Sequence, residues 1–185
     1  MGFLEFIGLR TQKDPELPAD LQRRLQQRFT AMESACWKVL PRAPKEPNMK
    51  IRTHLDDLSK SFDRLMRLQP NDVKTREQLL RVFEDLEDFS FFHRKDIAHM
   101  ELYKSSECSL FKATLEEAMR LFGYTMVTPT RVDILKKNIH VDMLGQIPDP
   151  LRRHQDEVAV RARGLMLKGN VVAMPLVYTY STHAL

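Results

Sequence analysis

Apolar residues recur at every third or fourth position through most of the first 123 residues, which predicts a series of amphipathic helices. The clearest stripe covers residues 17–40, a second covers 49–69, and two shorter stripes cover 79–89 and 109–122. The first stripe consists of Leu17, Leu21, Leu25, Phe29, Met32, Cys36 and Leu40. We therefore expect a multi-helix body over residues 15–123.

The residues between the stripes predict where the helices begin and end. Three prolines predict an extended connector over residues 41–48. Thr75 and Gln78 have the spacing of a capping box, in which each side chain bonds a backbone N–H of the other residue. Gly123 lies where a residue in the left-handed conformation commonly ends a helix.

After Gly123 the pattern changes to short runs that are typical of strands. Tyr124–Val127 is one such run, and residues 158–167 and 171–180 flank Lys168-Gly169-Asn170, which predicts a hairpin. Pro175 has no backbone N–H, so it predicts that the second run lies at a sheet edge.

These patterns predict a mainly α fold, with a multi-helix body and a small C-terminal α/β tail ending in a β-hairpin. The tail would cover residues 124–185, and residues 1–14 would form an apolar N-terminal segment. Phe3, Leu4, Phe6 and Ile7 are costly to leave in water, so this segment is predicted to pack on the rest of this protein, on a partner or on a membrane surface. A partner-binding role is the one we assign to it.

Composition limits the class of protein further. Apolar residues make up 43% of the chain and charged residues 29%, as in a folded globular protein. The net charge of +4 is too small for a dedicated nucleic-acid binder. No apolar run reaches the roughly 18 residues of a membrane span.

Basic and aromatic residues of the tail form a candidate partner-binding group. Arg161 and Arg163 alternate with apolar residues, which predicts that both project from one strand face. They would suit an acidic protein surface or RNA phosphates. Tyr178 and Tyr180 would stack on bases in the RNA case, or fill the far side of a hairpin.

The chain has no recognisable catalytic motif. His93, Asp96 and His99 are the densest group of possible metal ligands, but positions 93 and 99 point about 120° apart on a helix. His54 with Asp57 forms a second pair with the same three-residue spacing. We expect partly exposed polar residues, a non-enzymatic protein, and neither metal nor cofactor.

Acidic and sulfur-containing residues are also interpreted as structural. Glu84, Asp85, Glu87 and Asp88 lie opposite an apolar stripe and are predicted to face solvent. The only two cysteines, at positions 36 and 108, share no motif. They are predicted to be buried thiols in a reducing compartment, with a single disulfide bridge as the alternative.

Five segments between residues 79 and 164 occur in a characteristic order. They are Phe89-Ser90-Phe91-Phe92-His93, Leu102-Tyr103, Leu115 to Asp133, His140-Val141-Asp142, and Val158 to Gly164. This order resembles the transmembrane-protein-143-like domain of mitochondrial and plastid proteins, whose function is not established. Members carry membrane-spanning helices after the domain, whereas residues 165–185 contain no such run. The resemblance implies an organellar, membrane-peripheral protein and supplies no catalytic residues.

The leading hypothesis is a non-catalytic structural or adaptor subunit of a larger, mitochondrial membrane-associated assembly. Its partners would be protein subunits, with possible peripheral membrane contact. The location would be the matrix or the inner-membrane periphery, with the cytoplasm as the alternative. A second hypothesis is an RNA-associated protein, either a ribonucleoprotein subunit or a viral matrix- or nucleoprotein-like factor. A third is a metal-dependent enzyme that uses the histidines.

Overall fold

The computed structural model describes residues 15–39, 45–69, 72–96, 106–128, 141–148 and 158–181. The apolar N-terminal segment, with Phe3, Leu4, Phe6 and Ile7, lies outside these ranges, so its predicted role stays a prediction.

Helices dominate the described residues, as the apolar stripes predict. They are α1 (Ala19–Val39), α2 (Lys45–Arg67), α3 (Thr75–Asp96) and α4 (Ser106–Leu121). Gly123 has a φ of 83° and its N–H donates to the carbonyl of Arg120 over 2.9 Å, which confirms the predicted left-handed residue after the last helix. None of the described helices combines the length and apolarity that crossing a membrane requires.

Two predictions about helix ends are wrong. Helix α2 already begins at Lys45, so the second half of the predicted connector is helical. Pro47 lies in the first turn, where a backbone N–H would have no intrahelical partner, so the proline is tolerated there. The capping box does not form, because Gln78 Nε2 donates to the Ser61 carbonyl (2.9 Å) on the neighbouring helix. Asp72 Oδ1 instead accepts from the Lys74 N–H (2.8 Å) just before α3.

The helical body packs around three phenylalanines, one each from α1, α2 and α4. The Phe29 and Phe62 rings stack with centroids 4.1 Å apart, and Phe111 meets both rings edge-on at 5.3 and 5.6 Å. All three side chains are buried. Such pairs stabilise a core beyond the area that they bury, and here they join three helices at one point.

Six short strands form two three-stranded sheets in the tail. They are β1 (Tyr124–Val127), β2 (Asp142–Pro148), β3 (Val158–Ala162), β4 (Gly164–Leu167), β5 (Asn170–Ala173) and β6 (Leu176–Ser181). The first sheet has the order β1-β4-β5 and the second the order β2-β6-β3. The predicted hairpin is present as β4 and β5, with positive φ at Lys168 and Gly169 in its turn.

The chain does not end in that hairpin, because Pro175 divides the second predicted run between the two sheets. The first half, β5, lies at an edge, as predicted, but β6 is the central strand of the second sheet. The chain passes between the sheets at Arg163 and again at Pro175, and these crossings lie side by side. A Cβ on Gly164 would lie only 2.6 Å from the Pro175 ring, so the crossing requires glycine there.

The helical body and the first sheet share one core. Tyr124, Leu165 and Leu167 are buried in the same cluster as the apolar stripes of the helices. Helix α3 also contacts β3, so the crossing at Arg163 lies against the helical body.

Candidate functional site

Arg163 lies at the crossing between β3 and β4, where its side chain is directed onto the helices. Its side chain is only 12% exposed. Nε and Nη2 donate to Glu87 Oε1 on α3 over 3.0 and 2.8 Å, and Nη1 donates to Glu116 Oε1 on α4 over 2.5 Å. Its backbone N–H donates to Glu87 Oε2 over 2.9 Å. One arginine therefore joins the tail to two helices.

The ion-pair network joins two carboxylates, Glu87 and Glu116, to three cations, Arg163, Lys112 and Arg120. Arg120 Nη2 lies 3.2 Å from Glu116 Oε2. The Glu87 side chain is 6% exposed, and Lys112 Nζ lies 4.0 Å from its Oε1. The guanidinium also lies over the Phe83 ring, 5.2 Å from the centroid. Burial lowers the pKa of Arg163, but hydrogen bonds and charge attraction from Glu87 and Glu116 outweigh burial and raise the pKa above its usual value. The arginine is a permanent cation here.

This geometry corrects two predictions. Arg163 does not project from the face of β3, because that strand ends at Ala162. Its guanidinium instead bonds Glu87 of α3 and Glu116 of α4, both in the helical body. Glu87 does not face solvent, since it lies one helical turn from buried Phe83 on the same face of α3. Glu84 is exposed as predicted.

The other predicted partner-binding residues are less defined. The side chains of Arg161 and Tyr180 lie outside the described parts of the chain. Tyr178 is half-buried on the central strand β6, opposite Ala159 of β3. Of the four predicted tail residues, the structure therefore places Arg163 inside the ion-pair network and Tyr178 on β6, and the roles of the other two stay predictions.

A pocket of about 260 Å³ opens between α3 and α4, beside the ion-pair network. Leu86, Phe89 and Ala113 form its apolar wall, and its polar lining consists of Ser90, Cys108, Ser109, Lys112 and Glu116. The volume lies just below the roughly 300 Å³ at which ligand pockets usually begin. Its most reactive group is the thiol of Cys108.

The described residues contain no group of three or more metal-ligating side chains that could hold an ion. The side chains of His93, Asp96 and His99 are outside the described set, so the metal hypothesis stays a prediction for them. His54 is half-buried on α2.

Large apolar side chains are exposed on β2 and β5, which are two of the four strands at sheet edges within the described residues, and directly after β5. We call Met143, Leu144, Val171 and Met174 the tail edge residues. Val171 is 60% exposed and Met143 54%. Sequence reasoning did not single out these four residues, because a strand-like pattern does not show which side chains the rest of the fold leaves exposed.

Comparison with protein-family models, curated proteins and solved structures finds no significant match to this chain. The resemblance to the transmembrane-protein-143-like domain therefore stays a prediction.

Proposed function

We propose that this protein is a non-catalytic structural or adaptor subunit of a larger assembly, and that it binds a protein partner through the tail edge residues. The observation that carries the proposal is the exposure of Met143, Leu144, Val171 and Met174 on and beside two edge strands. Exposed apolar side chains are costly to leave in water. An unpaired strand edge is a template on which another chain can pair, so a protein partner can use both features at once.

A protein fits these strands better than a lipid surface does. Within the described ranges, β5 has a hydrogen-bonded neighbour on one side only. A lipid interior supplies no partners for the N–H and C=O groups of its free side, whereas a protein segment does.

The partner contact depends mainly on side chains. Strand β5 has four residues, and its ladder with β4 is irregular between Leu165 and Met166. Such an irregularity limits the backbone hydrogen bonds that an added strand gains. The complementary surface is therefore expected to be apolar and to bury Val171 and Met174.

The contacts of the arginines give the RNA hypothesis little support. Arg163 is enclosed by two carboxylates. Arg24 on α1 is paired through both terminal nitrogens with Glu117, over 2.9 and 2.6 Å. A guanidinium that is already paired gains less from a phosphate, because it must first leave its carboxylate.

The mitochondrial, membrane-associated part of the proposal is supported only by the family resemblance described from the sequence. Fractionation of the tagged chain into matrix, inner-membrane and cytoplasmic pools tests it separately.

The first experiment is the native size of the endogenous protein after gentle detergent lysis, with and without ribonuclease. We expect a large, ribonuclease-resistant complex. Migration near 22 kDa in both conditions would overturn the proposal, and collapse on ribonuclease treatment would favour the RNA hypothesis.

The second experiment uses matched variants in the same cells. Val171→Lys places a charge on the proposed contact and is expected to weaken the complex about tenfold or more, equivalent to about 1.4 kcal/mol. Val73→Lys makes the same change at a side chain that is 83% exposed between α2 and α3, and should leave the complex intact. Equal behaviour of the two variants would exclude β5 as the contact.

A further inference from the structure

The two cysteines, far apart in the sequence, meet in the structure. Cys36 lies on α1 with no exposed surface, and Cys108 lies on α4 and is half-buried. Both are free thiols. The pairs Arg24–Glu117 and Phe29–Phe111 set α1 antiparallel to α4, so the end of α1 that carries Cys36 lies beside the start of α4 that carries Cys108. The two thiols are close enough for Cys108 to act on the pKa of Cys36. Helices α1 and α4 pack side by side, so the contact belongs to a main helix interface of the body.

The two thiols differ in access. Cys108 lines the pocket of about 260 Å³ between α3 and α4, with Ser109 and Lys112 beside it. Cys36 belongs to the buried core with no exposed surface, and it is not among the residues that line the pocket. A small reagent that enters the pocket therefore reaches Cys108 first and Cys36 only through it.

We propose that Cys36 and Cys108 form a reversible intramolecular disulfide, with Cys108 as the residue that reacts with an external oxidant in the pocket. The oxidant class is a small-molecule disulfide such as oxidised glutathione. The Cys108 thiolate attacks one of its sulfurs, forming a mixed disulfide and releasing one small thiolate, which takes up the proton lost by Cys108.

The second step closes the bridge. Cys36 loses its proton to solvent base, its sulfur attacks the Cys108 sulfur, and the second small thiol leaves with a proton. Two protein thiols are oxidised by two electrons and one small disulfide is reduced to two thiols. The reverse exchange with excess small thiol restores both cysteines.

The environment of Cys36 supports this order of events. The neighbouring Cys108 thiol and burial raise the pKa of Cys36 above its ordinary value, so this thiol stays protonated until the partner sulfur is activated. In a reducing compartment both cysteines stay free thiols, as the sequence predicts. In oxidising surroundings the disulfide would give the protein a second, cross-linked form.

The bridge would cross-link α1 to α4 and close a long loop that contains α2 and α3. Loop closure of this length restricts the unfolded chain strongly. We therefore expect the oxidised protein to melt about 5–15 °C higher than the reduced protein.

The test treats the folded, full-length protein with excess oxidised glutathione and then counts thiols after denaturation. Because the chain has two cysteines, the expected change is from two thiols to none, in a monomer whose mass falls by two hydrogens. Reduction should restore both thiols and the lower melting temperature. Two remaining thiols, a disulfide-linked dimer, or a stable glutathione adduct in the wild-type protein would each overturn the proposal.

Variants separate the roles of the two residues. Cys36→Ala should stop at a glutathione adduct on Cys108, and Cys108→Ala should leave Cys36 unmodified. If Cys36→Ala does not fold, timed alkylation of the wild-type protein decides, since Cys108 must be labelled before Cys36. Faster labelling of Cys36 would overturn the assigned order.

Discussion

Replacing Arg163 with methionine tests whether the ion-pair network joins the tail to the helical body. Methionine keeps much of the side-chain volume but removes three charged hydrogen bonds, two to Glu87 and one to Glu116. Glu87, 6% exposed, then keeps only the backbone N–H of residue 163 and Lys112 at 4.0 Å. Breaking a buried pair from one side costs about 3–5 kcal/mol.

The assay is urea unfolding followed by circular dichroism, with the free energy extrapolated to water. A loss of about 3–5 kcal/mol is a large share of the roughly 5–15 kcal/mol that stabilises a typical domain. The matched control is Arg24→Met, which removes another two-nitrogen arginine–glutamate pair, between Arg24 of α1 and Glu117 of α4. Its side chains are 44% and 50% exposed, so water replaces the lost contacts and we expect no measurable change.

A double-mutant cycle then separates the charge effect from the packing effect. Glu87→Gln combined with Arg163→Met removes the buried carboxylate that the single Arg163 variant leaves unpaired. The double variant should therefore recover about 1–3 kcal/mol relative to the sum of the two single losses. Equal losses for the Arg163 and Arg24 variants, together with additive effects in the cycle, would refute the reasoning.

Three further substitutions have definite expectations. Phe111→Ala opens a cavity where three helices meet and should cost about 3–5 kcal/mol in urea unfolding, whereas the same change at exposed Leu110 should cost far less. Gly164→Ala forces a Cβ against the Pro175 ring and should lower stability by about 1–3 kcal/mol; an unchanged midpoint would refute the crowded crossing. Although Glu84 is exposed, partial loss of hydration beside its neighbours and repulsion from Asp85 and Asp88 raise its pKa, so the folded state disfavours its charged form. Glu84→Gln should therefore raise the melting temperature at neutral pH and leave it unchanged in acid, where folded and unfolded carboxyls are both protonated.

The helical body was predictable because its signal is local. A stripe such as Leu17, Leu21, Leu25 and Phe29 repeats with the period of the helix, and any folded arrangement has to bury it. The left-handed conformation at Gly123 follows equally from local backbone energetics.

The tail was only partly predictable, because strand pairing joins residues that are distant in the sequence. The Lys168-Gly169 turn has a local signature and was found. The placement of β6 between β2 and β3 depends on pairings with residues 142–148 and 158–162. Without those partners, Pro175 indicated an edge, whereas it lies at the crossing between the two sheets.

The candidate site likewise separates what neighbouring residues determine from what long-range contacts determine. The sequence by itself determined the fold class, the apolar faces of the helices and the absence of a familiar catalytic motif, since each of these is a property of neighbouring residues. Only the tertiary structure decided that Arg163 points inward to Glu87 and Glu116, and that Cys36 meets Cys108 beside a pocket. Those contacts depend on where strand β3 ends and on how α1, α3 and α4 pack, and no local pattern of charge or hydropathy encodes either.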